Sequence, residues 1–157
     1  MKIKLLVIGK TDSKQLLFLM DDYIKRIKSF ISFDFEVIPD IKNRKNLSED
    51  LQKEKEGILI LSKITSADFV ILLDEKAEEF TSKNFAMFLQ KKMNSGIKNL
   101  IFVVGGPYGF SKAVYQRANQ KTALSKMTFS HQMVRLIFLE QLYRAYAIIN
   151  HHPYHHS

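Results

Sequence analysis

Leu100-Ile-Phe-Val-Val104, followed at once by Gly105-Gly-Pro-Tyr-Gly109, decides the fold of this chain. Five apolar residues in a row describe a strand buried on both faces, because a half-buried strand would alternate with polar residues. Such a strand belongs in a parallel sheet with helices over both sides. Glycines at its C-terminal end allow a backbone to approach a ligand closely or to adopt positive φ. The bland alternative for those glycines is a tight strand-to-helix turn with no ligand.

Working outward, other stretches repeat the pattern. Ile3–Ile8, ended by Gly9, and Phe69–Leu73, with Asp74 at its end, read as buried strands. Phe33–Ile38 alternates and stops at Pro39. Helices fill the intervals. Ser13 caps one that carries Leu16, Leu17, Met20, Ile24 and Ile27 on its inward face. Ser48 starts another that reaches about Lys63, with Glu49 and Asp50 where the helix dipole favours acids. Thr81 or Ser82 caps a third through Met93, and Asn94-Ser95-Gly96 ends it. Ser111 caps a short helix to about Asn119, and Thr122–Met127 is a short fifth strand or extended segment. The last helix runs from about His131 to Asn150, with Val134, Ile137, Phe138, Leu142, Ala145 and Ile149 inward. This alternation predicts one α/β domain over residues 1–157, a mainly parallel sheet covered by helices on both faces. Ligands of such sheets bind beyond the C-terminal strand ends, which selects the loops after Leu73 and Val104.

The chain carries 24 Lys and Arg against 16 Asp and Glu. The excess is concentrated late: residues 111–157 hold six basic side chains, one acid (Glu140) and all five His. A basic surface with titratable rings suits a polyanion such as RNA, although a basic protein with no nucleic-acid partner has the same composition. With no Cys, disulfides and thiolate metal sites are excluded. The N-terminal apolar run is too short for a signal peptide, and no stretch approaches the roughly 18 apolar residues of a membrane span. The expectation is a cytoplasmic protein with no membrane association.

Several candidate sites remain open at this level. Gly9-Lys10-Thr11 echoes a phosphate-binding loop but lacks the earlier glycine, so it is set aside. His131 and Arg135, four apart on one helical face, suit an anion or a substrate carbonyl, or merely a helix cap. Glu140 and Arg144 read as a surface ion pair. The tail His151-His-Pro-Tyr-His-His156 invites a metal, but zinc usually draws ligands from two anchored segments, so none is assigned. Phe138, Leu142 and Tyr146, on an apolar helix of a small domain, are expected to be partly buried between two subunits.

Taken in order, Leu72-Leu-Asp74, Gly105-Gly-Pro-Tyr-Gly109, Leu124-Ser-Lys-Met-Thr-Phe129, His131-Gln-Met-Val-Arg135, Glu140-Gln-Leu-Tyr-Arg-Ala145 and the His-Pro-Tyr-His tail carry an end-to-end resemblance. The chain resembles the RlmH (formerly YbeA) family of SPOUT-class RNA methyltransferases. It departs from the family's usual pattern at Ser130, often Pro, and at His156, often Lys or Arg. The resemblance implies a C-terminal trefoil knot, a homodimer and S-adenosylmethionine as methyl donor, with no metal. It implies methylation of N3 of a pseudouridine in helix 69 of large-subunit (23S) ribosomal RNA, on assembled ribosomes. By position, cofactor contacts fall on Leu73, Gly105, Leu124, Ser125, Lys126, Met127, Thr128 and Phe129. Substrate contacts fall on Tyr154 and His155. His155 or His131 is the candidate base at N3, and Arg135 the candidate group for charge on the flanking carbonyls.

Two rivals share parts of this pattern. A flavodoxin-like small-ligand module would need a phosphate loop after the first strand, and that loop is missing. A non-catalytic ribosome-binding or RNA-binding protein would share the basic C-terminal half, but would have no reason to bind the methyl donor.

Overall fold

The computed structural model describes residues 1–156. Five strands form one sheet: β1 (Lys2–Ile8), β2 (Ser32–Ile38), β3 (Phe69–Leu73), β4 (Asn99–Val104) and β5 (Gln120–Thr122). Their order is β2-β1-β4-β3-β5 and every pairing is parallel. The helices are α1 (Lys14–Lys28), α2 (Glu49–Ser62), α3 (Ser82–Met93), α4 (Lys112–Arg117) and α5 (Met133–Ile149).

Successive strand side chains point to opposite faces, so the uninterrupted apolar runs feed two cores. Leu5, Val7, Ile71, Leu100, Phe102 and Val104 meet α1, α3 and α5 on one face. Leu6, Ile8, Val70, Leu72, Ile101 and Val103 meet Ile60 of α2 and Val114 of α4 on the other. Ser13, Ser48, Thr81 and Ser111 each cap a helix with the side-chain oxygen. None of the helices is long and apolar enough to cross a membrane.

One inward face and three boundaries differ from expectation. Leu17 is exposed, because α1 turns Leu16, Met20 and Ile27 inward instead. α4 stops at Arg117: the Asn119 side chain takes the Val70 amide at 2.8 Å and the Asn119 amide returns to the Val70 carbonyl, which draws the chain into the sheet. β5 is correspondingly earlier and shorter, pairing only with Ile71–Leu73. Beyond Ala123 there is no strand left to pair with, so residues 124–130 leave the sheet as a loop. The last helix opens at Met133, not His131. Ser130 accepts the Met133 amide at 3.1 Å through its hydroxyl and the Val134 amide through its carbonyl, which makes residues 131–132 an entry turn.

The expected subunit contact through Phe138, Leu142 and Tyr146 is overturned. All three lie at 0–1% exposure inside the chain's own core. Phe138 packs on Phe102 with ring centroids 4.8 Å apart, so no area there is left for a partner.

Candidate active site

The C-terminal ends of β3 and β4 open onto a cleft of about 510 Å³, within the size range of small-molecule sites. The strand ends Leu73 and Val104 line it, as do the glycine loop, the segment after β5, and His131 and Val134 at the start of α5. Seven of the eight residues expected to hold a cofactor line this one space: Leu73, Gly105, Leu124, Ser125, Met127, Thr128 and Phe129. Lys126 is exposed and does not. Two stretches far apart in sequence meet here because β5 lies beside β3, so the chain leaving β5 emerges at the same edge as the chain leaving β4.

The glycine loop is a closed turn. The Gly109 amide donates to the Gly106 carbonyl at 3.1 Å, and Gly109 takes φ +84°, a conformation that favours glycine. Gly105 has a different reason to lack a side chain. A Cβ there would lie 3.0 Å from the Phe110 ring and 3.3 Å from the Gly109 carbonyl oxygen, so the ring or the loop would have to give way to admit it.

Asp74 and Tyr115 also line the cleft and were not among the residues assigned to it. Asp74 accepts a hydrogen bond from the Tyr115 hydroxyl at 2.6 Å and one from the Lys76 amide at 3.0 Å. Burial works to raise the Asp74 pKa, but these donors and the charges of Lys121 and Lys76 outweigh it and hold the carboxyl below its usual range. Tyr115 is pushed up to about 12 by burial and by the Asp74 carboxylate. Asp74 was visible as a residue at a selected strand end. Tyr115 carried no signal, since its partner lies 41 residues away.

His131 and Arg135 separate. The His131 ring lies at the cleft, whereas Arg135 is 1% exposed and faces β1. Its guanidinium donates to the carbonyls of Ile8 (2.7 Å), Gly9 (2.9 Å) and His131 (3.1 Å), and to the Thr11 hydroxyl (2.9 Å). Every contact is to the protein itself, and the side chain holds the entry of α5 against the end of β1. Gln132 adds to the same joint, donating to the Lys10 carbonyl and accepting the Asp12 amide.

The tail folds back on its own chain. The Tyr154 ring packs edge-on against Tyr143 at 4.7 Å, with the Arg144 guanidinium over it at 4.8 Å. The Tyr154 hydroxyl lies 3.2 Å from that of Tyr23 and donates to Glu140 at 3.1 Å. Glu140 also holds Arg144, so the expected surface ion pair is half-buried and part of a tail clasp. Burial, the Tyr23 hydrogen bond and the Glu140 charge all push the Tyr154 phenol well above its ordinary value. Arg144 donates to His155 Nδ1 at 3.2 Å, which leaves the ring proton on Nε2. Neither Tyr154 nor His155 lines the cleft. The cleft meets α5 at Val134, and Arg144 lies ten residues on, about 15 Å along the axis. Among the described residues, no group of three or more His, Asp or Glu is placed to hold a metal ion.

A parallel sheet whose glycine loop and post-β5 segment enclose one cleft defines a class. The family described as "Predicted SPOUT methyltransferase" matches residues 1–155. The relatives narrow the class further. The protein named ribosomal RNA large subunit methyltransferase H of Flavobacterium johnsoniae is 62% identical over 157 residues, the whole of both chains. Its namesakes in Flavobacterium psychrophilum and Parabacteroides distasonis are 64% and 60% identical, again over the whole of both chains. The chain belongs to the ribosomal RNA large subunit methyltransferase H family of SPOUT methyltransferases.

Proposed function

We propose that this chain is an S-adenosylmethionine-dependent methyltransferase of large-subunit ribosomal RNA. Its target is N3 of a pseudouridine in helix 69 of assembled ribosomes in the cytoplasm. The observation that supports this most is the convergence of Leu73, Gly105 and the 124–129 segment on one cleft. The residues present fit the donor. Leu73, Val104, Leu124 and Val134 offer apolar contact to a nucleoside base, Ser125 and Thr128 offer hydroxyls, and the ionised Asp74 suits a cationic ligand.

The bound donor supplies a methyl already activated on a sulfonium. Transfer of that methyl to N3 would release the N3 proton, which a group of the protein would have to accept. The protein's task is therefore orientation, exclusion of water and removal of one proton. His131 is the histidine that lines the cleft, which supports its reading as the base for that proton, directly or through a water. Tyr154 keeps its proton, so its part is to stack on the extruded base, the usual way in which looped RNA is read. His155, with its proton on Nε2, offers a donor to a base carbonyl or a phosphate. Arg135 stays out of the chemistry and holds His131 in place through the backbone. The exposed Lys42, Arg44 and Lys45, in the loop after β2, lie at the same edge of the sheet and suit RNA phosphates.

Because the tail and the cleft of one chain lie apart, this reading calls for a homodimer in which the partner's tail reaches the cleft. Leu17, Phe18, Leu19 and Met133 are the exposed apolar residues of α1 and α5 available for contact. The reading also carries a trefoil knot in the chain after β4, which the backbone trace of a crystal structure tests directly. Transfer of a tritiated methyl to ribosomes lacking the modification, with mass spectrometric mapping, tests the activity. One methyl per ribosome on the helix 69 pseudouridine is expected. Tight donor binding with no incorporation would favour a non-catalytic ribosome-binding role. Light scattering at micromolar concentration tests the dimer.

A further inference from the structure

Glu56 of α2 is 3% exposed, and its Oε1 is the one buried side-chain oxygen or nitrogen among the described residues with no hydrogen-bond partner. Its other oxygen accepts only from Gln52, itself buried, at 3.3 Å. The carboxyl lies flat against Gly106: a Cβ on that glycine would sit 2.5 Å from both carboxyl oxygens. The next residue, Gly57, presses in the same way on Ser111 and Val114 at the start of α4. α2 is thus seated under both ends of the loop that joins β4 to α4. Gly106 lines the cleft, while Glu56 does not touch it.

We propose that Glu56 is a positioning residue for the methyl-donor cleft, its buried carboxyl forming the seat that holds Gly106 and, through it, the glycine loop. The proposal rests on the methyl-donor reading of the cleft given above. A carboxylate in this place has no cation within hydrogen-bonding reach and one oxygen without a donor. Ionising it there leaves a charge uncompensated, and the structure relieves that by admitting water and moving the carboxyl, which frees Gly106. Desolvation raises the Glu56 pKa, Gln52 opposes, Asp40 after β2 adds to the rise, and Arg44 in the 3₁₀ turn (Arg44–Asn46) opposes it. From α4 and its cap, Ser111 and Val114 meet this turn of α2, and the charged groups on that side are Lys112 and Glu54, which share a surface pocket with Gly57. Donor binding is therefore linked to a proton on Glu56. Affinity falls as pH rises above the folded-state value, by at most about tenfold per unit.

The test is calorimetric titration of the intact protein with S-adenosylmethionine between pH 5.5 and 8.5, run beside Glu56→Gln. The amide is isosteric with the neutral acid and cannot ionise. Titration of the donor's own groups affects both proteins alike, so the ratio of the two dissociation constants is the readout. Wild type should weaken relative to E56Q as pH rises, by no more than about tenfold per unit, and should take up proton on binding that E56Q does not, as read in buffers of different ionisation enthalpy. A pH-independent ratio overturns the proposal while leaving the methyl-donor reading intact. Absence of binding by wild type at every pH removes that reading and this proposal with it. Should E56Q fail to fold, Gly106→Ala decides: its Cβ meets the carboxyl, and a loss of about tenfold or more in affinity is expected. Unchanged affinity in folded G106A overturns the seat.

Discussion

Replacing Arg135 separates a structural cation from a chemical one. Arg135→Met keeps much of the volume and removes all four hydrogen bonds from the guanidinium to Ile8, Gly9, Thr11 and His131. The Thr11 hydroxyl has a second contact, the Met20 sulfur at 3.8 Å, so the three carbonyls bear most of the loss. Each buried acceptor left unpaired costs about 1–3 kcal/mol. Relief of the guanidinium's own desolvation, the first cause of its lowered pKa, offsets part of this. A net destabilisation of about 3–5 kcal/mol follows, within the range for breaking a buried polar network. For a chain of this length that is a fall in melting temperature of about 10 °C, at roughly 2–4 °C per kcal/mol. Arg135→Lys keeps the charge but cannot span four acceptors fixed around a planar fork, so it should recover only part of the loss. Thermal and urea denaturation of wild type, R135M and R135K measure this directly. The reasoning is refuted if R135M melts within about 2 °C of wild type. Full stability with loss of methyl transfer alone would return Arg135 to the chemistry.

Gly105→Val should cost stability as well as donor affinity, because its side chain strikes Phe110 and the Gly109 carbonyl before it meets any ligand; a variant as stable as wild type would contradict this. Removing residues 152–157 takes away the Tyr154 ring, its contacts with Tyr143 and Arg144, and its bond to Glu140. The expected cost is about 1–3 kcal/mol, with donor titration little changed and methyl transfer to ribosomes abolished; retained activity would remove the tail from the site. Tyr115→Phe withdraws one of the donors that lower the Asp74 pKa. A carboxyl depressed in the fold contributes stability that is present above its unfolded value of about 3.9 and lost as pH falls through the folded value. The melting difference between wild type and Y115F should therefore be largest near neutrality and close below about pH 4; a constant difference would show that Tyr115 acts by packing alone.

Local pattern carried much of this protein. Short apolar runs rich in β-branched residues and ended by glycine, such as Leu100–Val104, read as strands buried on both faces, and the alternation of Leu5 with Leu6 across two cores follows from strand geometry. Helix caps were legible for the same reason, since a capping hydroxyl bonds an amide three residues away. The cleft was legible in outline, because parallel strands place their C-terminal ends on one edge and ligands follow them. Polar side chains were not. The partners of Arg135 at and just after the end of β1 lie more than 120 residues earlier, so nothing near it in sequence distinguishes a buried clamp from a catalytic cation. Glu56 reads as an exposed helix acid until α2 is laid beneath the glycine loop. The apolar face of α5 is the same whether it meets its own sheet or a second subunit, and only the packed chain shows that Phe138, Leu142 and Tyr146 are already spent. Periodicity records that a side is buried. What it is buried against depends on contacts between distant segments, and those exist only once the sheet has assembled.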